Sequence, residues 1–296
     1  MTALPWYGLL TAAAVGLSAG YVGSLMVLRR MALVGDALSH VALPGLAVGL
    51  LLGFNPYVGA FAFVLAAAFV TWIIERSTQL TVDAVVGVLF VLALAVGVLL
   101  TPEPDLLEAL FGSPASVGPG GLVDGLAVTL VAVLATRAIY RPMVLSVISE
   151  DLAASAGVRV AAVSLAYLTL VSLVVAVGVQ VVGTLLVGAL VIVPAAAAKL
   201  LGTNLRRFAT LSAILGLGSA AGGTALSVPI DVPAGPLVVL LGVAAFAIAW
   251  VAFALLRRRA EGPTGPRTDR DAPAAPSVLP RPGPAAPTVR PGGQAP

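Results

Sequence analysis

The chain alternates long, continuous apolar stretches with short polar breaks. The stretches fall at roughly 6–28, 31–53, 56–74, 84–101, 121–140, 160–178, 180–198, 208–228 and 235–256. Each approaches the ~20 residues that cross a hydrocarbon core about 30 Å thick. Gly and Ala are scattered through them, without the alternation of apolar and polar positions that a transmembrane β-barrel requires. The pattern predicts an all-α polytopic membrane protein with nine transmembrane helices, and the soft boundaries leave room for eight to ten. Gly178 and Gly183 lie where the sixth stretch meets the seventh, so those two spans meet as a tight hairpin or a broken helix.

Charge sharpens this picture. Hydrophobic residues make up 59% of the chain and charged residues only 10%, which excludes a soluble globular domain. Arg29/Arg30, Arg76, Arg137/Arg141/Arg159, Lys199/Arg206/Arg207 and Arg257/Arg258/Arg259 all fall at alternate breaks. The other breaks carry Asn55, then Glu103, Asp105 and Glu108, and later Asp231, with no basic residue. By the positive-inside rule the N-terminus is expected outside and the C-terminus in the cytoplasm. The first stretch has no basic region before it and no clear cleavage site, so it reads as a retained span. No cysteine is present, which excludes disulfides, Fe–S clusters and Cys-ligated zinc. Past Arg259 the composition turns to Pro, Ala, Gly and scattered Arg. Such a segment buries too little apolar surface to offset its ordering entropy. Residues 1–259 are therefore expected to form the transmembrane domain, and 260–296 a disordered Pro/Ala-rich cytoplasmic tail.

The candidate chemistry lies in the second stretch, where Asp36 precedes His40, the only histidine of the chain, by about one helical turn. The two side chains share a helix face and offer a carboxylate oxygen and an imidazole nitrogen. An acid inside a bilayer costs on the order of 2.5–3.5 kcal/mol even on insertion scales, which points to a polar pathway or a ligand. The plainer alternative is that Asp36 bonds a neighbouring helix and His40 is a satisfied interior imidazole. Gly45, Gly49 and Gly53 form a stripe about half a turn around from the pair, suited to pressing on adjacent helices. One chain supplies too few ligands for a closed shell. Two copies at a two-fold axis would supply two carboxylates and two imidazoles, a set that suits Zn²⁺, Mn²⁺ or Fe²⁺. Copper(I) would favour sulfur ligands, and the four methionines do not cluster.

At this point the chain resembles a known family. The stretch from Arg30 to Gly45, RMALVGDALSHVALPG, is similar to the permease subunits of zinc/manganese/iron ABC importers. So are Ser149–Val158 (SEDLAASAGV), Val182–Leu201 (VGTLLVGALVIVPAAAAKLL) and Asp231–Gly235 (DVPAG), in family order. The resemblance covers about residues 6–256. Val41 departs from it, since a smaller residue is common there, and the tail lies outside it. What the resemblance implies is a type II ABC importer-like permease in the plasma membrane of a prokaryote, moving Zn²⁺, Mn²⁺ or Fe²⁺ by alternating access. It also implies a second permease copy, cytoplasmic ABC ATPase subunits and an extracytoplasmic metal-binding protein as partners, beside the lipid bilayer. No nucleic-acid partner and no tightly bound cofactor are expected. Asp36 and His40 fall on positions that line the metal pathway in that family. Glu150, Asp151, Ala153, Ala154 and Gly157 fall on its cytoplasmic coupling segment; the chain features alone suit an ordinary amphipathic connector equally well.

The motor is expected on another chain. A Walker A loop needs a Gly-rich turn followed by Lys and Ser/Thr, whereas Lys199, the only lysine, follows a run of alanines and precedes two leucines. It reads as an inner-face anchor, and the chain itself is not expected to be an enzyme. A secondary metal/proton transporter would want more intramembrane acids, and Asp83 and Asp124 stand only at span ends. A permease for a metal chelate such as a siderophore would have no need of the Asp–His pair.

Overall fold

The computed structural model describes residues 6–101, 103–202 and 204–260. Among them the chain forms α1 (Trp6–Leu28), α2 (Ala32–Leu52), α3 (Pro56–Ser77), α4 (Val82–Leu100), α5 (Glu103–Phe111), a 3₁₀ turn at Pro114–Ser116, α6 (Pro119–Ile148), α7 (Glu150–Ser155), α8 (Val160–Val182), α9 (Val187–Leu201), α10 (Leu205–Ile230) and α11 (Ala234–Ala260). No strand occurs among the described residues. Residues up to Leu256 form one compact unit. Of the expected tail, 260–296, Ala260 ends α11 and 261–296 lie outside the described residues.

Among the described residues eight helices are long and apolar enough to cross a membrane: α1, α2, α3, α4, α6, α8, α10 and α11. The seventh expected span becomes α9, apolar but only 15 residues long, or about 22 Å at 1.5 Å per residue. It is short because the chain leaves the helix at Gly183 and re-enters it at Val187, which settles the hairpin-or-break question as a break of four residues. In hydrocarbon, each unpaired backbone group would cost several kcal/mol. Here α5 removes most of that cost: the Thr184 amide donates to the Ala109 carbonyl at 2.9 Å and the Leu185 amide to the Leu110 carbonyl at 3.1 Å. Gly183 has φ +85°, and a Cβ there would collide with the Leu110 carbonyl and the Gly112 amide. Only glycine fits that contact.

Helix α1 is the hub, packing most extensively on α10 and then on α6, α9 and α8. Its contact with α10 is built from small residues. Gly16 meets Gly216 and Ala220, and Gly20 meets Ser212, whose hydroxyl donates to the Gly20 carbonyl. Without a hydrophobic drive between helices in lipid, such close backbone approach supplies the packing energy. The stripe on α2 does the same toward α3: Gly45 meets Gly59 and Ala60, and Gly49 meets Pro56. Gly53 instead ends α2 in the left-handed conformation, with open space around it.

The connection from α1 to α2 is three residues long. The Met31 amide donates to the Met26 carbonyl and the Arg30 amide to the Val27 carbonyl, with Arg30 at φ +59°. That is the hydrogen-bond pattern of a Schellman motif, usually closed by glycine. Placing arginine there costs of order 1 kcal/mol or more.

Candidate functional site

Asp36 and His40 sit on one face of α2, as their spacing predicts, but they meet different neighbours. Asp36 is half-buried and lies against Gly188, the second residue of α9. A Cβ on Gly188 would stand 2.5 Å from Asp36 Cα and 2.6 Å from its Oδ1. The missing side chain thus lets the carboxylate approach the N-terminal end of α9, where the helix dipole favours negative charge. Ser39 fixes this junction. Its hydroxyl lies 2.6 Å from the Asp36 carbonyl and 2.7 Å from the Thr184 carbonyl in the break, donating its proton to one or sharing it between both.

His40 is 6% exposed, and the ring of Phe90 on α4 meets it edge-on at 4.9 Å between centroids, with an interplanar angle of 75°. Its Nδ1 is buried without a hydrogen-bond partner, as is the Thr184 hydroxyl. A buried, unpaired imidazole nitrogen is costly to maintain. It is also what a cation-binding ring requires, since a metal takes the lone pair that no proton donor occupies. Among the described residues no group of three His, Cys, Asp or Glu side chains is close enough to hold a metal ion. The pair therefore offers two donors of complementary kind and an incomplete shell.

Two cavities lie near the α5 end of the molecule. The larger, about 780 Å³, is lined by Glu108, Asp231, Ser227 and Thr224 among others. The smaller, about 140 Å³, lies against Leu46 and Leu50 of α2 and is also lined by Glu108 and Tyr57. Glu108 stands at the border of both. Neither is lined by Asp36 or His40.

The expected coupling segment forms its own short helix, α7. Ser149 ends α6 and begins α7: its amide donates to the Leu145 carbonyl and its hydroxyl accepts from the Leu152 amide at 3.2 Å. Gly157, at φ +79°, terminates it, with the Val158 amide donating to the Ala153 carbonyl at 2.9 Å. Glu150, Asp151, Ala154 and Gly157 are exposed, whereas Ala153 is fully buried. Four of the five segment residues are thus open to a partner, and Ala153 anchors the helix to its own chain.

Sequence reasoning found Asp36 and His40 but not Ser39, Thr184, Gly188 or Phe90, which come from α2, the break, α9 and α4. Gly178 and Gly183 had pointed to a hairpin or a break at this junction, without marking its partners.

Comparison with known proteins places these features in a family. Residues 4–253 match the model of the ABC 3 transport family. The chain is 34% identical over 246 residues to the manganese import system permease protein ScaB of Streptococcus parasanguinis, covering 82% of this chain and 88% of that one. It is 30% identical over 238 residues to the high-affinity zinc uptake system membrane protein ZnuB of Haemophilus influenzae, covering 78% and 91%. Among solved structures it is similar to PsaBC from Streptococcus pneumoniae in complex with Fab, with a TM-score of 0.74 and 31% identity over 83% of this chain and 90% of that one.

Proposed function

The chain belongs to the ABC 3 transport family, a multi-pass plasma-membrane permease of ABC metal importers, and from that premise we propose that it carries Mn²⁺, Zn²⁺ or Fe²⁺ past Asp36 and His40. The single observation that carries this reading is the unpaired, buried His40 Nδ1 one helical turn from a carboxylate seated on Gly188. An imidazole and a carboxylate together suit all three ions, and two donors from one chain hold a cation loosely enough to release it. A second permease copy would bring a second pair to the same route.

The remaining roles follow from the chain's layout. ATP is hydrolysed on separate cytoplasmic ABC ATPase subunits, which dock on the exposed residues of α7, Glu150, Asp151, Ala154 and Gly157. An extracytoplasmic metal-binding protein delivers the ion at the opposite face. With α7 cytoplasmic, the five spans before it set the N-terminus outside; the C-terminus lies inside because the short α9, with the break before it, makes the ninth crossing, in keeping with the alternating Arg clusters. Transport proceeds by alternating access, in which His40, covered here, opens in turn to each side.

The test is reconstitution in liposomes with the cognate ATPase and delivery protein, followed by uptake of Mn²⁺, Zn²⁺ and Fe²⁺. Uptake that requires ATP supports the proposal. Uptake by the chain alone, driven by a proton gradient, would overturn it in favour of secondary transport.

A further inference from the structure

A third cavity, about 660 Å³, is a groove lined by α3, α6 and α8. Both α3 and α6 pack on α8, and the groove runs between them. Its lining changes character along its length. At one end stand Asn55 and Tyr57 where α3 begins, Asp124 in the second turn of α6, and Gln180 near the end of α8. Farther along the same three helices the lining is apolar, with Phe61 on α3, Val128 on α6 and Leu173 on α8. At 1.5 Å per residue these lie about 6–10 Å closer to the middle of the spans. Tyrosine at the start of a span favours the level where hydrocarbon meets headgroups. The groove therefore begins at headgroup depth and continues into the hydrocarbon.

Two polar side chains at the shallow end lack partners. Asp124 is exposed and forms no ion pair or hydrogen bond among the described residues. The Gln180 side-chain amide is likewise without a hydrogen-bond partner among them. That amide rests on Gly121, where an added Cβ would stand 3.3 Å from its Nε2. Gly121 precedes Asp124 by about one turn, so the amide lies against the face of α6 that bears the carboxylate. No basic side chain lines the groove. A cation entering it meets an unpaired negative charge, and an anion meets only repulsion.

We propose that this groove binds a phospholipid of the surrounding bilayer whose headgroup carries a primary ammonium, as in phosphatidylethanolamine. The ammonium donates to the Asp124 carboxylate, the Gln180 amide donates to the phosphate, and one acyl chain lies along Phe61, Val128 and Leu173. The volume falls within the roughly 300–1,000 Å³ of ordinary ligand pockets. A primary ammonium forms charge-assisted hydrogen bonds with a carboxylate, whereas the methylated nitrogen of choline has no N–H to offer. Neither Asp36 nor His40 lines the groove, so lipid binding is independent of the metal pathway.

The experiment adds phosphatidylethanolamine, phosphatidylcholine or phosphatidylglycerol of matched acyl chains to the delipidated full-length chain in detergent. Native mass spectrometry then measures the lipid bound. Wild type should hold phosphatidylethanolamine roughly tenfold more tightly than phosphatidylglycerol, the scale of a hydrogen bond to a charged group, with phosphatidylcholine between them. Asp124→Asn should erase that preference, and Asp124→Glu should keep it. Val128→Trp, which fills the apolar part, should weaken all three lipids alike and provides the test if Asp124→Asn fails to fold. Equal binding of the three lipids by wild type, an unchanged preference in Asp124→Asn, or unchanged binding in Val128→Trp overturns the proposal. Val128→Cys, in a chain without native cysteine, reports on the competing occupant. It should remain uncrosslinked in the membrane; disulfide-linked pairs would give the groove to a second copy of the chain and also overturn the proposal.

Discussion

Helices α2 and α11 are both long apolar spans, yet 78% of the apolar window of α2 is buried against 17% of that of α11. The less hydropathic of the two is the one buried. In water this order would be reversed; in lipid the apolar solvent takes the apolar helices and the interior takes the small and polar ones. Helix α2 presents Gly35, Ser39, His40, Gly45 and Gly49 to its neighbours, whereas α4 and α11 turn Leu99, Ile248 and Trp250 outward. The residues that bear chemistry therefore lie among those packed by close backbone approach. The outer helices are free to face lipid or another subunit.

Substitutions that fill the close contacts should break this contrast most strongly. Gly183→Ala must force a side chain into the Leu110 carbonyl and hold it at positive φ, a loss of at least about 2 kcal/mol. Thermal unfolding in detergent should show it as a large fall in melting temperature. Gly188→Leu should cost about 1–3 kcal/mol by overpacking. It should also reduce metal uptake more than stability, because the inserted side chain meets the Asp36 carboxylate. Uptake normalised to the amount of inserted protein would separate the two effects.

Helix α7, the proposed docking helix, allows the same comparison within six residues. Ala153→Leu, at a fully buried position, should destabilise by about 1–3 kcal/mol. Ala154→Leu, exposed one residue later, should leave the melting temperature unchanged and weaken copurification of the ATPase. Equal effects from both would mean that the exposed face of α7 is not a contact surface. On the outer helices, Ile248→Ala and Leu99→Ala should change stability by no more than about 0.5 kcal/mol. Removing residues 261–296 should change transport least of all, provided Arg257, Arg258 and Arg259 remain; a truncated chain that assembles yet transports poorly would assign those residues a regulatory role.

Much of this architecture was legible in the apolar pattern. Eight of the nine expected stretches became full spans, and Gly45 and Gly49 pack as their spacing requires. The break between α8 and α9 was not fully legible because its amides are satisfied by Ala109 and Leu110, more than seventy residues earlier in the chain. Helix α5 itself was read as a loop, since its acidic residues and flanking prolines mask a helix of only nine residues. At the site, the i, i+4 spacing marked Asp36 and His40 without any tertiary information. Their supports could not be read that way, because Gly188 matters only through the absence of a side chain beside Asp36, and Phe90 only through the packing of α4 on α2.

The central claim is that the transported cation passes Asp36 and His40. It is tested most directly by metal uptake in liposomes containing the complete transporter with Asp36→Ala or His40→Ala in the permease. Both variants retain the apolar pattern of α2 and should insert and bind the ATPase as wild type does. The account predicts that each abolishes or strongly reduces uptake of Mn²⁺ and Zn²⁺ at unchanged assembly. Wild-type uptake rates in both variants would contradict it.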